Sequence, residues 1–174
     1  MRDLISIVSE GFADKIWYHG TRREFDHFSN AYTHGQLGTH LGSTVDQATW
    51  RLGDDPGFVL SVRANVKNLI RLRDEGSWYG EHFVEQLRQN PKTSHVKWRG
   101  GVSDSAIARE LKALGYDGVI YANKFEKSWP DDAKPSIIVF DPSNLEIIGR
   151  ADYDGSIIHS GTNTLKAPLV KQLF

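Results

Sequence analysis

The stretch Ile137-Ile138-Val139-Phe140 limits the choice of folds more than any other in the chain. Four consecutive apolar residues closed by the turn Asp141-Pro142-Ser143 read as a short strand lying centrally in a sheet. Neighbouring strands are legible at Lys15 to His19, Thr39 to Leu41, Phe58 to Val66, Leu69 to Arg73, Tyr116 to Tyr121 and Leu145 to Ile148. Between them stand helical patterns. Ser43 or Thr44 caps the first, Asp46 or Gln47 reaches back, and Gly53 stops it. Residues 78 to 89 turn Phe83, Val84 and Leu87 inward and end at Asn90-Pro91. Ser103 or Asp104 opens a third, with Ile107, Ala108 and Leu111 inward and Gly115 just past its end. A short apolar stripe over residues 3 to 10, capped by Asp3, suggests one more. Strands and helices do not alternate regularly, so the expected class is α+β rather than a doubly wound sheet.

The 174 residues are most economically one domain, at residues 1 to 150, with a loose tail over 151 to 174. Lys and Arg number 21 against 22 Asp and Glu, leaving a formal charge of -1, so no global field points to nucleic acid or a membrane surface. The absence of cysteine excludes a disulfide framework, a thiolate nucleophile and Cys-ligated metal sites. No apolar run approaches spanning length and the first residues lack a secretory pattern, so a cytosol is expected, the producer's or an infected host's. The basic run Lys92, His95, Lys97, Trp98, Arg99 would suit phosphates and one stacked base, but reads better as an exposed loop.

Three stretches carry polar chemistry. Trp17-Tyr18-His19-Gly20-Thr21 ends a strand in a histidine and an unhindered backbone, suited to amide or ribose groups or, more plainly, to a histidine satisfied by a neighbouring carbonyl. Gly38-Thr39-His40-Leu41-Gly42-Ser43 is the second, and Gly115-Tyr116-Asp117-Gly118 leading to Asp141-Pro142 the third. In order and spacing they resemble the NAD-binding core of the ADP-ribosyltransferase superfamily, in its diphtheria-toxin and poly(ADP-ribose) polymerase branch. The small phage and mobile-element members are the most similar, over roughly residues 16 to 149.

That resemblance implies two small antiparallel sheets packed face to face, with flanking helices and NAD+ between the sheets. It implies a mono-ADP-ribosyltransferase acting on a macromolecule, a host protein in preference to nucleic acid. Gly20 would grip the carboxamide, His19 the adenosine ribose, and Thr21 would support it. His40 stands where the branch has a tyrosine stacked on nicotinamide. Ser43 would line the cofactor, and Trp50 or Tyr32 would add an aromatic face, Trp50 being equally readable as core. The departure is Ser136, which stands where the family has its catalytic glutamate. An active enzyme would then draw its carboxylate from Glu126, or from Asp131 or Asp132. Asp117 reads as a turn residue that binds backbone N–H groups. His19, His34 and His40 lack metal-ligand spacing. The alternatives are an NAD+ glycohydrolase, an RNA-directed relative, and a non-catalytic binding or inhibitory module.

Overall fold

The computed structural model describes residues 12, 14–29, 36–76, 80–125, 133–156 and 158–160. In chain order the elements are β1 (Ile16–Thr21), β2 (Thr39–Gly42), α1 (Val45–Leu52), β3 (Gly57–Ala64), β4 (Leu69–Arg71), α2 (Gly80–Gln89), α3 (Asp104–Ala113), β5 (Gly118–Ala122), β6 (Pro135–Val139), β7 (Leu145–Tyr153) and β8 (Ile158–Ser160). A 3-10 turn at Pro142–Asn144 links β6 to β7. The expected helix at 3 to 10, the start of the helix at Trp78, and the residues Tyr32, His34, Glu126, Asp131 and Asp132 lie outside the described residues. So does the tail beyond residue 160.

The α+β class stands. The strands form one sheet in the order β4-β5-β6-β2-β1-β3-β7-β8. Every pairing is antiparallel except β4 with β5. In place of two stacked sheets there is one hydrogen-bonded order with a weak seam. β1 and β3 share six registered pairs, whereas β1 and β2 share one, Tyr18 opposite Gly42. The pairing does not continue to Gly20 and His40. A sheet joined so narrowly behaves as two halves that part on one side of the join.

β6 lies between β5 and β2, and Ile137, Ile138 and Val139 are fully buried, as a continuous apolar strand requires. Phe83 and Leu87 of α2 and Ile107 and Leu111 of α3 cover Ile138, Val119 and Tyr121 on one face of that half. Burying each such side chain contributes about 1.5–3 kcal/mol. On the opposite face Trp17, Leu60 and Val62 of one half join Leu41, Ile137 and Val139 of the other in a single cluster. Ala48 and Leu52 of α1 cover Tyr18 and Val59.

The local signals act as the sequence indicates. Thr44 is the N-cap of α1 and forms a capping box with Gln47, and the N–H of Gly53 closes the helix on the Thr49 carbonyl. Ser103 caps α3, and Gly115 follows it at φ +86°. Asp117 accepts from the N–H groups of Lys67 and Asn68 at 2.7 and 2.9 Å, which holds it in a turn and delays β5 to Gly118. The sheet also continues past residue 150. β7 runs to Tyr153 because β3 offers it partners as far as Gly57, and β8 then adds an edge strand. No helix among the described residues is long and apolar enough to cross a membrane.

Candidate functional site: a cleft at the sheet seam

A cleft of about 350 Å³ opens where β1 and β2 part. Strand alternation explains who reaches it. Tyr18 and Gly20 face α1, so His19 and Thr21 face the other way, toward Phe25 and Phe28. On β2, Leu41 faces the Trp17 cluster and His40 the opposite side. Side chains from both faces, His19 and His40 among them, therefore line one cleft that passes through the seam.

Two hydrogen bonds set the proton positions. His19 Nδ1 lies 2.9 Å from the His40 carbonyl oxygen. A carbonyl only accepts, so Nδ1 carries the proton and Nε2 remains an acceptor. His40 Nδ1 lies 3.2 Å from Arg51 Nη2. A guanidinium only donates, so His40 is neutral with its proton on Nε2. Burial lowers the pKa of His19, against an upward push from the His40 carbonyl, and Arg51 lowers it further. For His40, burial comes first, then the Arg51 charge, then His19, and together they push its pKa down to about 3. Both rings are neutral at pH 7. An edge-on contact with Phe28, at 5.4 Å between ring centres and 79° between planes, fixes the His19 ring, and Phe25 packs on Phe28 at 5.1 Å.

Gly20 is required by packing. A Cβ there would stand 2.0 Å from the Ala48 carbonyl oxygen, so α1 rests directly on the β1 backbone. That contact carries Arg51, in the last turn of α1, to the rim beside His40. Thr21 Oγ1 bonds the Arg23 N–H and carbonyl, both at 3.1 Å, and shapes the turn that leads to Phe25.

The other expected residues stand elsewhere. Ser136 is 1% exposed and faces α1, where it accepts from Gln47 Nε2 at 3.1 Å and Asn123 Nδ2 at 3.0 Å. It does not line the cleft. Ser43 sits at the start of α1, its N–H and hydroxyl held by Gln47 Oε1 at 2.7 and 3.3 Å. Trp50 is 55% exposed, so it is neither core nor a wall of the cleft. The α1 turn that directs Ala48 and Leu52 inward points position 50 outward. Trp98 of the basic run is buried, with Nε1 donating to the Thr93 carbonyl, and offers no stacking face.

Of the lining residues, only His19, Thr21 and His40 are singled out by the sequence as site residues; Thr39, Arg51, Glu24 and Gln36 are among those that are not. The charged run immediately after Thr21 was the available signal for Glu24. Among the described lining residues Glu24 holds the one carboxylate, and it is paired with Arg150. Nothing in local sequence marked Arg51, because its place depends on how α1 lies on β1.

The Ser136 contacts make a direct prediction. Ser136→Ala removes an acceptor shared by Asn123 Nδ2 and by Gln47 Nε2, which keeps the Lys134 carbonyl at 3.3 Å, and should lower unfolding stability by about 1–2 kcal/mol. Chemical denaturation measures this, and an unchanged midpoint would show that the hydroxyl is not a packing node.

No family model matches the chain, and no curated protein matches it either.

Proposed function

We propose that the seam cleft binds NAD+ and that the chain is a mono-ADP-ribosyltransferase acting on a macromolecular acceptor, a protein in preference to nucleic acid. The observation that carries this reading is His19. Burial keeps it neutral, its Nδ1 proton goes to the His40 carbonyl so that Nε2 is left as an acceptor, and it stands beside the Phe25–Phe28 wall in the gap between two strands. An acceptor of that kind suits a ribose hydroxyl, and the apolar wall of Phe25 and Phe28 suits a heteroaromatic ring.

The chemistry asks little of a general acid. The nicotinamide of NAD+ is cationic and leaves as a neutral molecule when its bond to the ribose breaks. The ribose then carries oxocarbenium character, which nearby negative charge and fixed dipoles stabilise. An imidazolium at His40 would oppose the cationic ring, and the depressed pKa of His40 removes that objection. Glu24 is the carboxylate that the described cleft offers, and Glu126 is the candidate carried by the sequence. Ser136, held by two amides away from the cleft, supplies neither charge nor a nucleophile in this reading.

Wild type and His19→Ala titrated with NAD+ by calorimetry provide the test. A lost charge-neutral hydrogen bond of about 1–1.5 kcal/mol predicts roughly tenfold weaker binding for the variant. Equal affinities would remove the basis of the reading. Labelled NAD+ with an acceptor lysate then separates transfer from simple hydrolysis, which releases nicotinamide without acceptor.

A second reading is a binding module that holds the ligand without turnover. Glu24 favours it, since Arg150 already occupies the carboxylate. Binding of NAD+ with no labelled product and no free nicotinamide would select this reading.

A further inference from the structure

We propose that the groove at the ends of β4 and β5 is a docking surface for single-stranded nucleic acid, with Arg71 and Lys124 on phosphates and the exposed ring of Phe125 against a base. The groove lies at the β4 edge of the sheet, away from the seam between β2 and β1, so the proposal goes beyond the NAD+ reading and does not depend on it.

The groove, of about 470 Å³, forms where the parallel strands β4 and β5 end against the last turn of α2. Ile70 and Leu72 are buried in the core under α2, and the alternating Arg71 and Arg73 are exposed. Gln86 of α2 fixes the backbone that carries them. Its Oε1 accepts from the Arg73 N–H at 2.7 Å, and its Nε2 donates to the Arg73 carbonyl at 3.1 Å. Asp74 fixes the other wall. It is 7% exposed, and its carboxylate accepts from the Gly76 N–H at 3.1 Å and from the Lys124 N–H at 2.7 Å. One buried carboxylate thus ties the turn after β4 to the residues after β5, and sets Lys124 and Phe125 beside the arginines.

The charges at this groove are not all spent. Arg73 has Glu75 at 3.6 Å. The side chains of Arg71 and Lys124 make no hydrogen bond or ion pair, and both line the groove. Lys92, which follows the lining residue Pro91, is exposed and equally unpartnered through its ammonium. Three uncommitted cations around one groove, in a chain whose formal charge is -1, concentrate positive potential there and favour a polyanion.

Phe125 selects among polyanions. It is 54% exposed at the end of the wall that Asp74 holds. An exposed ring beside a cationic groove offers an unpaired base a stacking face. An acidic peptide makes no use of that face, and a duplex keeps its bases stacked on one another. The aromatic partner of the basic residues is therefore Phe125, not the buried Trp98.

Fluorescence anisotropy tests the proposal, with labelled oligouridine, oligothymidine, a duplex of the same length and a polyglutamate peptide. Three phosphate contacts give a salt slope of roughly -2, so affinity for a single strand should fall about fifteenfold between about 50 and 200 mM salt. The combined variant Arg71→Gln, Lys124→Gln, first checked for a native unfolding transition, should bind at least about tenfold more weakly at low salt and bring the slope to roughly -0.7. Phe125→Ala should weaken binding by about fivefold or more and leave the slope unchanged. Arg63→Gln, on β3 and outside the groove, should change neither. A preference for either single strand supports the proposal and tells RNA from DNA. Equal binding by wild type and the combined variant, duplex or polyglutamate bound as tightly as the single strands, or no binding at low salt overturns it and leaves the NAD+ reading untouched.

Discussion

Gly20→Ala should destabilise the protein by about 3 kcal/mol, the upper part of the range for overpacking a closely packed interior. The added Cβ would stand 2.0 Å from the Ala48 carbonyl oxygen, 2.9 Å from its carbon and 3.3 Å from Leu52 Cγ. Two of those atoms are backbone, so no side-chain rotation relieves the clash. β1 cannot retreat, because six registered pairs tie it to β3. α1 must therefore lift. Arg51 rides on α1, so its bond to His40 should fail together with stability. Urea denaturation of Gly20→Ala beside Gly100→Ala measures the effect. Nothing lies within 4 Å of a Cβ at Gly100, so that control should change stability by no more than about 0.5 kcal/mol. Similar losses in the two variants would contradict the close seating of α1.

Acid should weaken the fold well before its carboxylates titrate, and His40 should account for most of that loss. Its folded pKa is about 3 against an ordinary 6.5. Between those values the unfolded imidazole takes up a proton that the folded ring refuses. Stability therefore falls as pH drops through 6.5 and is flat above it. The slope is at most about 1.4 kcal/mol per pH unit, which gives a ceiling of about 2 kcal/mol between pH 7 and pH 5. His19 is shifted in the same direction and adds to the slope. Asp26 and Asp141 have lowered pKa values, and their contributions are lost only below the ordinary carboxylate range. Denaturant unfolding at pH 7 and pH 5 isolates the histidines. His40→Gln should flatten the dependence, and a slope unchanged by that substitution would show that the cleft does not hold this ring neutral.

Both effects arise where the chain's own logic was only half visible. The central apolar strand, the capped helix before Gly53 and the turn at Asp117 were legible because each depends on neighbours within a few residues. The capping box joins Thr44 to Gln47, three positions apart. Glycine's place in the Trp-Tyr-His-Gly-Thr stretch was legible too, but its reason was not. The sequence suggests room for a ligand at Gly20, whereas the Cα face of Gly20 is taken by the α1 backbone. Ser136 shows the same limit. Its position at the head of an apolar strand can be read directly, but its partners Gln47 and Asn123 lie 89 and 13 residues away.

Local periodicity and capping chemistry decided most of the elements of this protein, the caps of α1 and α3 and the α+β class, but not the extension of β7 to Tyr153 or the edge strand β8. Tertiary structure alone decided the single sheet with its one-pair seam, the outward turn of Trp50, and the meeting of Arg51 with His40 over a cleft floored by Thr39. The physical reason is range. Propensity and caps act over a few bonds along the chain, whereas register, burial and the charge around an imidazole are set by residues that only folding brings together.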